Sequence, residues 1–180
     1  ANWDFSHFGD GSRNTQALGG IGVKQPLHSI GDRDEIQDFE WNIHVLHFGT
    51  GLADGTDNSP IGPPNAGRSQ DLDDLAAFVA SIELRPDSPF RNPMDQSLTS
   101  SAASGKAIFE SDETRCRFCH PEPLYTDNIL HDVGTYRSSD TSGYQGFVTP
   151  SLRNIYDTDP YLHSGQATSL AAVLTAQNVN

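Results

Sequence analysis

Apolar residues recur at the three- and four-residue spacing of an amphipathic helix in a few separate stretches. Asp34–His47 is the first, with apolar positions at Ile36, Phe39, Ile43 and Leu46. Asp71–Leu84 is the clearest, and its leading aspartates favour the positive end of a helix dipole. Three further helices are predicted at Leu98–Glu110, Pro150–Tyr156 and Thr168–Gln177. No segment has a convincing strand pattern, so the sequence predicts an all-α fold.

The segment Cys116–His120, with the sequence CRFCH, carries the strongest chemical signal in the chain. Two thiols three positions apart, followed at once by a histidine, form the attachment pattern of a c-type haem. Each thiol adds to one vinyl group of the porphyrin, and the histidine becomes the proximal iron ligand. Half of a zinc site and a thioredoxin-like redox pair share the cysteine spacing. The chain has only 2 cysteines and no strand–helix–strand pattern around them, which favours haem.

Composition agrees with a haem protein and narrows the partners. The 180 residues include 16 glycines and 11 prolines, which predict long loops around a core formed in large part by the cofactor. The formal net charge of −13 argues against nucleic acid and anionic membranes as partners. Such acidity serves solubility, or steers the chain to a basic redox partner.

The sequence also indicates where the chain is found. Both cysteines belong to the motif, so no disulfide is expected. No apolar run approaches the roughly 20 residues of a membrane span, and no signal peptide begins at Ala1. Because covalent haem is normally attached outside the cytoplasm, we expect a processed periplasmic or extracellular protein.

A weak internal repeat links the two ends of the chain. Each residue of a first set recurs 134 positions later in a second set, the pairs being Thr15 and Thr149, Leu18 and Leu152, Pro26 and Pro160, and Gly31 and Gly165. A single offset without gaps favours a true duplication, whereas coincidence within Gly/Pro-rich loops is the alternative.

Several of these stretches resemble a known family. Phe147–Ile155 (FVTPSLRNI) and Pro160–Gly165 (PYLHSG) closely resemble the C-terminal haem domain of bacterial di-haem cytochrome c peroxidases and MauG-like proteins. Leu130–Thr135, Gly105–Phe109 and the linker Ser88–Phe90 match the same domain. Arg13–Thr15 and Pro26–Gly31 look like the corresponding part of the family's N-terminal haem domain.

The resemblance implies a domain organisation. Residues 1–90 would be a partial first cytochrome c-like domain that lacks its haem motif, since a motif 134 positions before Cys116 would precede Ala1. Residues 91–180 would be a c-type haem domain that lacks its last helix. The fold implied is an all-α cytochrome c-like haem domain with a loop-rich N-terminal segment.

The resemblance also implies roles for individual residues. Cys116 and Cys119 would anchor one covalent haem, and His120 would bind the iron. Tyr144 is the candidate distal ligand, because the family has a Met or, in MauG-like members, a Tyr just before the equivalent of Phe147; a loop tyrosine at the haem edge is the alternative. Calcium between the domains, near Asn14, is a further implication.

Other polar residues have weaker claims. His131 and His163 lie in family motifs and are expected to form hydrogen bonds near the haem. His44 and His47 could turn toward a metal or could be surface or packing residues. Glu35 and Glu40 are acidic candidates on the former distal side, with a solvated helix face as the alternative expectation. Ser29 holds the position at which the family has a tryptophan between its two haems, and Met94 is expected to pack.

Three functions follow from these observations. The first is electron transfer by a single-haem c-type cytochrome from a di-haem peroxidase-like family. The second is a part of a cytochrome c peroxidase or MauG-like oxidase acting on hydrogen peroxide, although the peroxidatic haem motif is absent from this chain. The third is a haem-bearing assembly subunit. The expected partner is a redox protein, which could be a further haem-bearing segment of the same protein.

Overall fold

The computed structural model describes residues 2–5, 11–83, 88–140 and 145–176. Its helices are α1 (Phe39–Trp41), α2 (Gln70–Ala80), α3 (Ser100–Phe109), α4 (Cys116–Cys119) and α5 (Leu170–Ala176). Its strands are β1 (Asn2–Asp4), β2 (Ser12–Asn14), β3 (Leu130–His131) and β4 (Phe147–Val148). Short 3₁₀ turns occupy Ile21–Val23, Ile36–Asp38 and Ile155–Asp157, and a π-helical turn occupies Asn42–Leu46.

The prediction of an all-α fold was wrong. The four strands form two antiparallel pairs, with Trp3 opposite Arg13 in β1–β2 and Leu130 opposite Val148 in β3–β4. Strands of two or three residues are too short to show the alternation that identifies a strand in a sequence. The helices are also short, the longest being the 11 residues of α2, so loops connect most of the structure.

The clearest helix predictions are confirmed, with adjusted ends. Helix α2 starts where the Ser69 hydroxyl accepts a hydrogen bond from the Leu72 N–H, and α3 starts where Thr99 does the same for Ala102. The predicted end of α2 at Leu84 lies outside the described residues. Helix α5 starts at Leu170, two residues after the predicted start at Thr168, and Gln177, the predicted end, lies outside the described residues.

Two other helix predictions need correction. Asp34–His47 is helical over residues 36–46, but it passes from a 3₁₀ turn through α1 to a π turn instead of forming one helix. The segment predicted as a helix at Pro150–Tyr156 forms no α-helix, and its last residues belong to the 3₁₀ turn Ile155–Asp157. A proline with a favourable first-turn position was the main signal there, and it is not sufficient to start a helix.

The structure confirms the internal repeat. We define the first unit as residues 14–38 and the second unit as residues 148–172. Each unit has a left-handed residue (Gly20 or Asn154) that precedes a 3₁₀ turn, and each later closes a turn through an antiparallel β-bridge. The closing bonds join Leu27 N to Arg33 O at 2.8 Å and, 134 positions later, Tyr161 N to Ala167 O at 2.7 Å.

The two units pack on each other through equivalent contacts. The Asn14 N–H donates to the His163 carbonyl at 2.7 Å, and the Val148 N–H donates to the Ser29 carbonyl at 2.9 Å. Val148 is the repeat counterpart of Asn14, and His163 is the counterpart of Ser29. The crossed pattern is that of an approximate two-fold axis between the units, as in a symmetric dimer interface.

The apolar core is small. Among the described residues, the fully buried apolar side chains are Leu27, Ala53, Leu72, Ala76 and Ala167. Leu72 and Ala76 lie on α2, which packs on the 3₁₀ turns Ile21–Val23 and Ile36–Asp38 of the first unit. Within the described ranges, buried polar residues outnumber buried apolar ones, so hydrogen bonds and ion pairs hold much of this structure together.

Candidate haem site

The haem-attachment motif forms a single helical turn. Arg115, in a left-handed conformation with φ 58°, turns the chain into α4, which contains both cysteines. Residues three apart on a helical turn lie on the same side, so Cys116 and Cys119, both half-buried and free of any disulfide, present their thiols together. His120 follows directly, and its N–H donates to the Cys116 carbonyl at 3.0 Å.

The orientation of His120 is fixed by one hydrogen bond. Its Nδ1 lies 2.8 Å from the Tyr125 carbonyl oxygen. Because a carbonyl oxygen only accepts, Nδ1 carries the proton and Nε2 keeps its lone pair for a metal. Tyr125 has φ 54°, and this left-handed turn aims its carbonyl back at the imidazole.

The loop that supplies this carbonyl is held from several sides. The Tyr125 hydroxyl donates to Glu122 Oε1 at 2.7 Å, and Lys106 of α3 reaches the same oxygen at 3.2 Å. The Phe109 ring lies 6.2 Å from the Tyr125 ring and 6.4 Å from the His120 ring. Helix α3 therefore helps to position His120, through the packing of Phe109 and through the ion pair of Lys106 with Glu122.

Apolar side chains flank the motif and remain exposed. They are Ile108, Phe118, Ile129, Leu130 and Val133, each at least 40% exposed. An apolar surface of this kind suits contact with the faces and edges of a porphyrin. Two thiols on one helical turn, an oriented imidazole and an apolar surround together fit a c-type haem.

Zinc would be a poorer occupant of the same residues. Ligand atoms of Cys119, Asp127 and His131 lie within 4.8 Å of one another, which resembles part of a zinc site. Burial, and next the negative charge of Asp127, raise the pKa of the Cys119 thiol above its usual value. A zinc ligand must be a thiolate, so this environment opposes zinc. His131 Nε2 is in any case bonded to Asp127 Oδ2 at 2.8 Å.

Tyr144, the predicted distal ligand, lies outside the described residues. The described residues nearest to it in the sequence belong to an aromatic stack. The Phe147 ring lies 3.8 Å from the His163 ring, nearly parallel to it, and 5.0 Å from the Tyr136 ring. His163 and Tyr136 have one buried side-chain polar atom each, Nδ1 and the hydroxyl, without a hydrogen-bond partner.

A buried ion-pair network lies beside this stack. Arg13 Nη1 is 2.7 Å from Asp140 Oδ1, and His163 Nε2 is 2.9 Å from Asp140 Oδ2. Burial opposes ionisation of Asp140, but hydrogen bonds from the Arg137 N–H, Arg13 and His163 outweigh it and lower its pKa. Burial lowers the pKa of His163 against the opposing effect of Asp140. The network is therefore an ionised Asp140 between a cationic Arg13 and a neutral His163.

Other sequence-based candidates have different surroundings from those expected. Met94 was expected to pack, but it is 93% exposed. Glu40, expected on a solvated face, is fully buried, and Glu35 accepts hydrogen bonds from the backbone of Asn65 and Ala66. Asn14 donates through its amide nitrogen to the Pro160 carbonyl. The calcium site near it stays a prediction.

Comparison with known proteins yields relatives of one kind. No family model matches the chain. The chain is 31% identical over 138 residues to hydrazine synthase subunit gamma of Kuenenia stuttgartiensis, covering 55% of this chain and 38% of that protein. It is 33% identical over 91 residues to the methylamine utilization protein MauG of Methylorubrum extorquens, covering 44% and 26% of the two chains. MauG of Methylophilus methylotrophus is 31% identical over 91 residues, with 44% and 27% covered.

A solved structure shares the fold. The crystal structure of a MauG-like protein associated with microbial copper homeostasis matches 91% of this chain and 58% of its own, with a TM-score of 0.60 and 18% identity. The chain thus spans less than two fifths of the length of these curated relatives.

The motif and the orientation of His120 fit a c-type haem protein, and the chain shares its fold with a MauG-like protein. More particularly, the chain is a relative of the MauG-like, di-haem cytochrome c peroxidase family, and the resemblance drawn from its motifs is confirmed. In the part of the chain that the structure describes, the helices are too short or too polar to cross a membrane.

Proposed function

We propose that this chain carries one covalent haem c and transfers electrons. Cys116 and Cys119 would form the thioethers, His120 Nε2 would bind the iron, and Tyr144 would be the distal ligand. The observation that carries the proposal is the hydrogen bond from His120 Nδ1 to the Tyr125 carbonyl at 2.8 Å. It gives the imidazole the tautomer and the orientation of a proximal ligand.

The acceptor of that hydrogen bond, the Tyr125 carbonyl, favours electron transfer as the function rather than catalysis. When bound, the haem supplies a one-electron iron couple. A neutral carbonyl leaves the His120 imidazole less electron-rich than a carboxylate acceptor would, so it gives less support to highly oxidised iron. The protein's own contribution is then to hold His120 in place through Tyr125, Glu122 and Lys106, and to keep solvent from the proximal side.

The repeat supports the two-part organisation of residues 1–90 and 91–180. The first unit has the same turns as the second, which is what a partial cytochrome c-like domain without its own haem motif would retain. We also propose a periplasmic location and a redox partner with a basic surface, since the chain carries a net charge of −13. Calcium at Asn14 would have to use its amide oxygen, because the nitrogen donates to Pro160.

Two other functions have specific support. The MauG relatives favour a part in a di-haem oxidase or peroxidase whose other haem lies in another segment, and the chain matches only 26% and 27% of those proteins. The relative named as a subunit of hydrazine synthase favours a haem-bearing subunit of an assembly.

Spectroscopy and mass spectrometry of the haem-loaded chain test the proposal. We expect an added mass of one haem per chain, a low-spin optical spectrum, a reversible one-electron couple and negligible turnover with hydrogen peroxide. His120→Ala should remove the low-spin spectrum, while His47→Ala, a change at an exposed histidine, should leave it intact. Many turnovers with peroxide would favour the oxidase, and a large complex on a sizing column would favour the assembly subunit. Absence of covalent haem would refute all three functions.

A further inference from the structure

A histidine in the N-terminal half is held at both of its ring nitrogens. His44 lies in the π turn Asn42–Leu46, one helical turn after Glu40 of α1. Its Nδ1 lies 2.7 Å from Asp57 Oδ2, and its Nε2 lies 2.6 Å from the Thr50 carbonyl oxygen. Both of these oxygens belong to the chain that follows the π turn. One imidazole therefore ties two points of that chain to the helical segment.

The partners of His44 require a proton on each ring nitrogen. A carbonyl oxygen only accepts hydrogen bonds, so Nε2 must donate to Thr50. Asp57 is an acceptor too, because Arg68 Nη1 binds its Oδ1 at 2.9 Å, as a guanidinium binds a carboxylate. A neutral imidazole has one N–H and satisfies only one of the two oxygens. The geometry therefore fits an imidazolium, which leaves His44 no lone pair for the metal that was one expectation for it and for His47.

A positive charge on His44 also balances the acidic side chains that face it. Glu40 is fully buried, with Oε1 3.6 Å from His44 Nε2, and its Oε2 is buried without a hydrogen-bond partner among the described residues. Asp57 is 5% exposed and is paired with Arg68 on its far side. With His44 protonated, the two carboxylates face two cations. With His44 neutral, one buried carboxylate lacks a counter-ion, which is costly.

The loop of residues 50–53 covers the Glu40 side chain. The N–H groups of Leu52 and Ala53 donate to Glu40 Oε1 at 2.5 and 2.7 Å. At Gly51 the backbone approaches so closely that an added Cβ atom would collide with the same oxygen. Ala53 is itself buried. Movement of this loop away from the π turn would therefore break the contacts that cover a buried carboxylate.

We propose that protonated His44 latches loop 50–53 onto the π turn, and that the latch opens as the pH rises. When the proton leaves, Asp57 keeps the remaining N–H, because a carboxylate is the stronger acceptor. The Nε2 lone pair then faces the Thr50 carbonyl oxygen, and the two repel each other. The hydrogen bond to Thr50, and next the one to Asp57, raise the pKa of His44 above its usual 6.5. The latch is therefore complete below pH 6.5 and is lost as the pH rises through the raised value.

Nitrogen-15 NMR of the His44 ring in the reduced, haem-loaded chain tests the protonation state. The ring signals are assigned by their loss in His44→Gln. At pH 6 both ring nitrogens should carry a proton, and the titration midpoint should lie above 6.5. Asp57→Asn should lower that midpoint, because it removes a negative charge beside the ring. A wild-type ring with one unprotonated nitrogen at pH 6 would overturn the proposal, whatever the variants do.

Amide hydrogen exchange of the same samples tests the latch itself. As the pH rises through the His44 midpoint, protection of the Leu52 and Ala53 N–H groups should fall about 10-fold or more, the equilibrium factor for losing a hydrogen bond to a charged group. Protection is taken relative to the N–H of Ala76, which is buried in α2, so that the intrinsic pH dependence of exchange cancels.

Two variants serve as controls for the exchange measurement. His44→Gln, whose side chain has no charge to lose, should show no such fall with pH. His47→Ala, a change at an exposed histidine, should behave as wild type does. A protection ratio in wild type that stays constant while His44 titrates would show that the imidazolium does not hold the loop, and would overturn the proposal.

Discussion

Arg13→Ala is expected to destabilise the protein strongly. The Arg13 side chain is 8% exposed, and its partner Asp140 is 2% exposed. The change removes the cation from an ionised carboxylate that stays buried, with the neutral His163 and the Arg137 N–H as its remaining hydrogen-bond partners. Breaking a buried ion pair from one side typically costs about 3–5 kcal/mol, because the other charge is left uncompensated.

The destabilisation by Arg13→Ala should affect the packing of two distant segments as well as one ion pair. Arg13 lies in β2, and Asp140 is 127 positions away, so the pair joins the strand that starts the first unit to a loop that precedes the second. Replacing both charges should cost less than replacing Arg13 alone, because Arg13→Met with Asp140→Leu leaves no buried charge. A double-mutant cycle with these variants should therefore give a large coupling free energy.

The assay is urea unfolding of the haem-loaded chain at a single pH, with circular dichroism as the signal. The control is Arg117→Ala, which breaks the exposed pair between Arg117 and Asp112 and should change the free energy of unfolding little, since exposed pairs contribute little. If Arg13→Ala unfolds at the same urea concentration as Arg117→Ala, the buried network does not stabilise the fold and the reasoning is wrong.

Three further predictions follow from other parts of the structure. Gly51→Ala should lower the free energy of unfolding much more than Gly55→Ala in the same urea assay, because both glycines have positive φ but a Cβ collides with His44 and Glu40 only at Gly51; equal losses would contradict the collision. Thr99→Ala should cost about 0.5–2 kcal/mol through loss of the α3 cap, whereas Thr99→Ser should restore most of that stability. The network should also lose stability in acid: the pKa of His163 lies below its usual 6.5, so its contribution is complete above that pH and is lost as the pH falls through the lowered value. Unfolding followed from pH 7.5 to pH 4.5 should show this decline, and a flat profile would contradict it.

The sequence is sufficient to identify the parts of this protein that depend on local chemistry. The attachment motif is five consecutive residues, so its spacing alone predicts the two thiol anchors and a role for His120 as an iron ligand. The repeat could also be found, because equal offsets between Thr15 and Thr149 and between Gly31 and Gly165 survive without gaps. Long helices with an apolar face, such as α2, were predictable for the same reason.

Contacts between segments that are distant in the sequence leave no comparable spacing or periodicity in the sequence. The strands β3 and β4 contain two residues each, and their pairing depends on the tertiary structure. Asp140 lies in a polar loop that looks solvated in the sequence, yet it is buried by Arg13 and His163. Glu40 was expected on a solvated face but is buried for a similar reason. Its partners are the Leu52 and Ala53 amides, which belong to a loop that folds back over it.

The first unit contributes to the proposed haem site although it contains no haem motif. Its Ser29 carbonyl binds Val148 of β4, and Phe147 of that strand stacks on His163. Arg13 of β2 neutralises Asp140, which in turn is bonded to His163 Nε2. His120, by contrast, is oriented by the Tyr125 carbonyl, and the Tyr125 ring packs on Phe109 of α3. Strand β2 and the first unit therefore support the segment next to the candidate distal ligand, while Tyr125 and α3 position His120, so the two faces of one haem would depend on different halves of the chain.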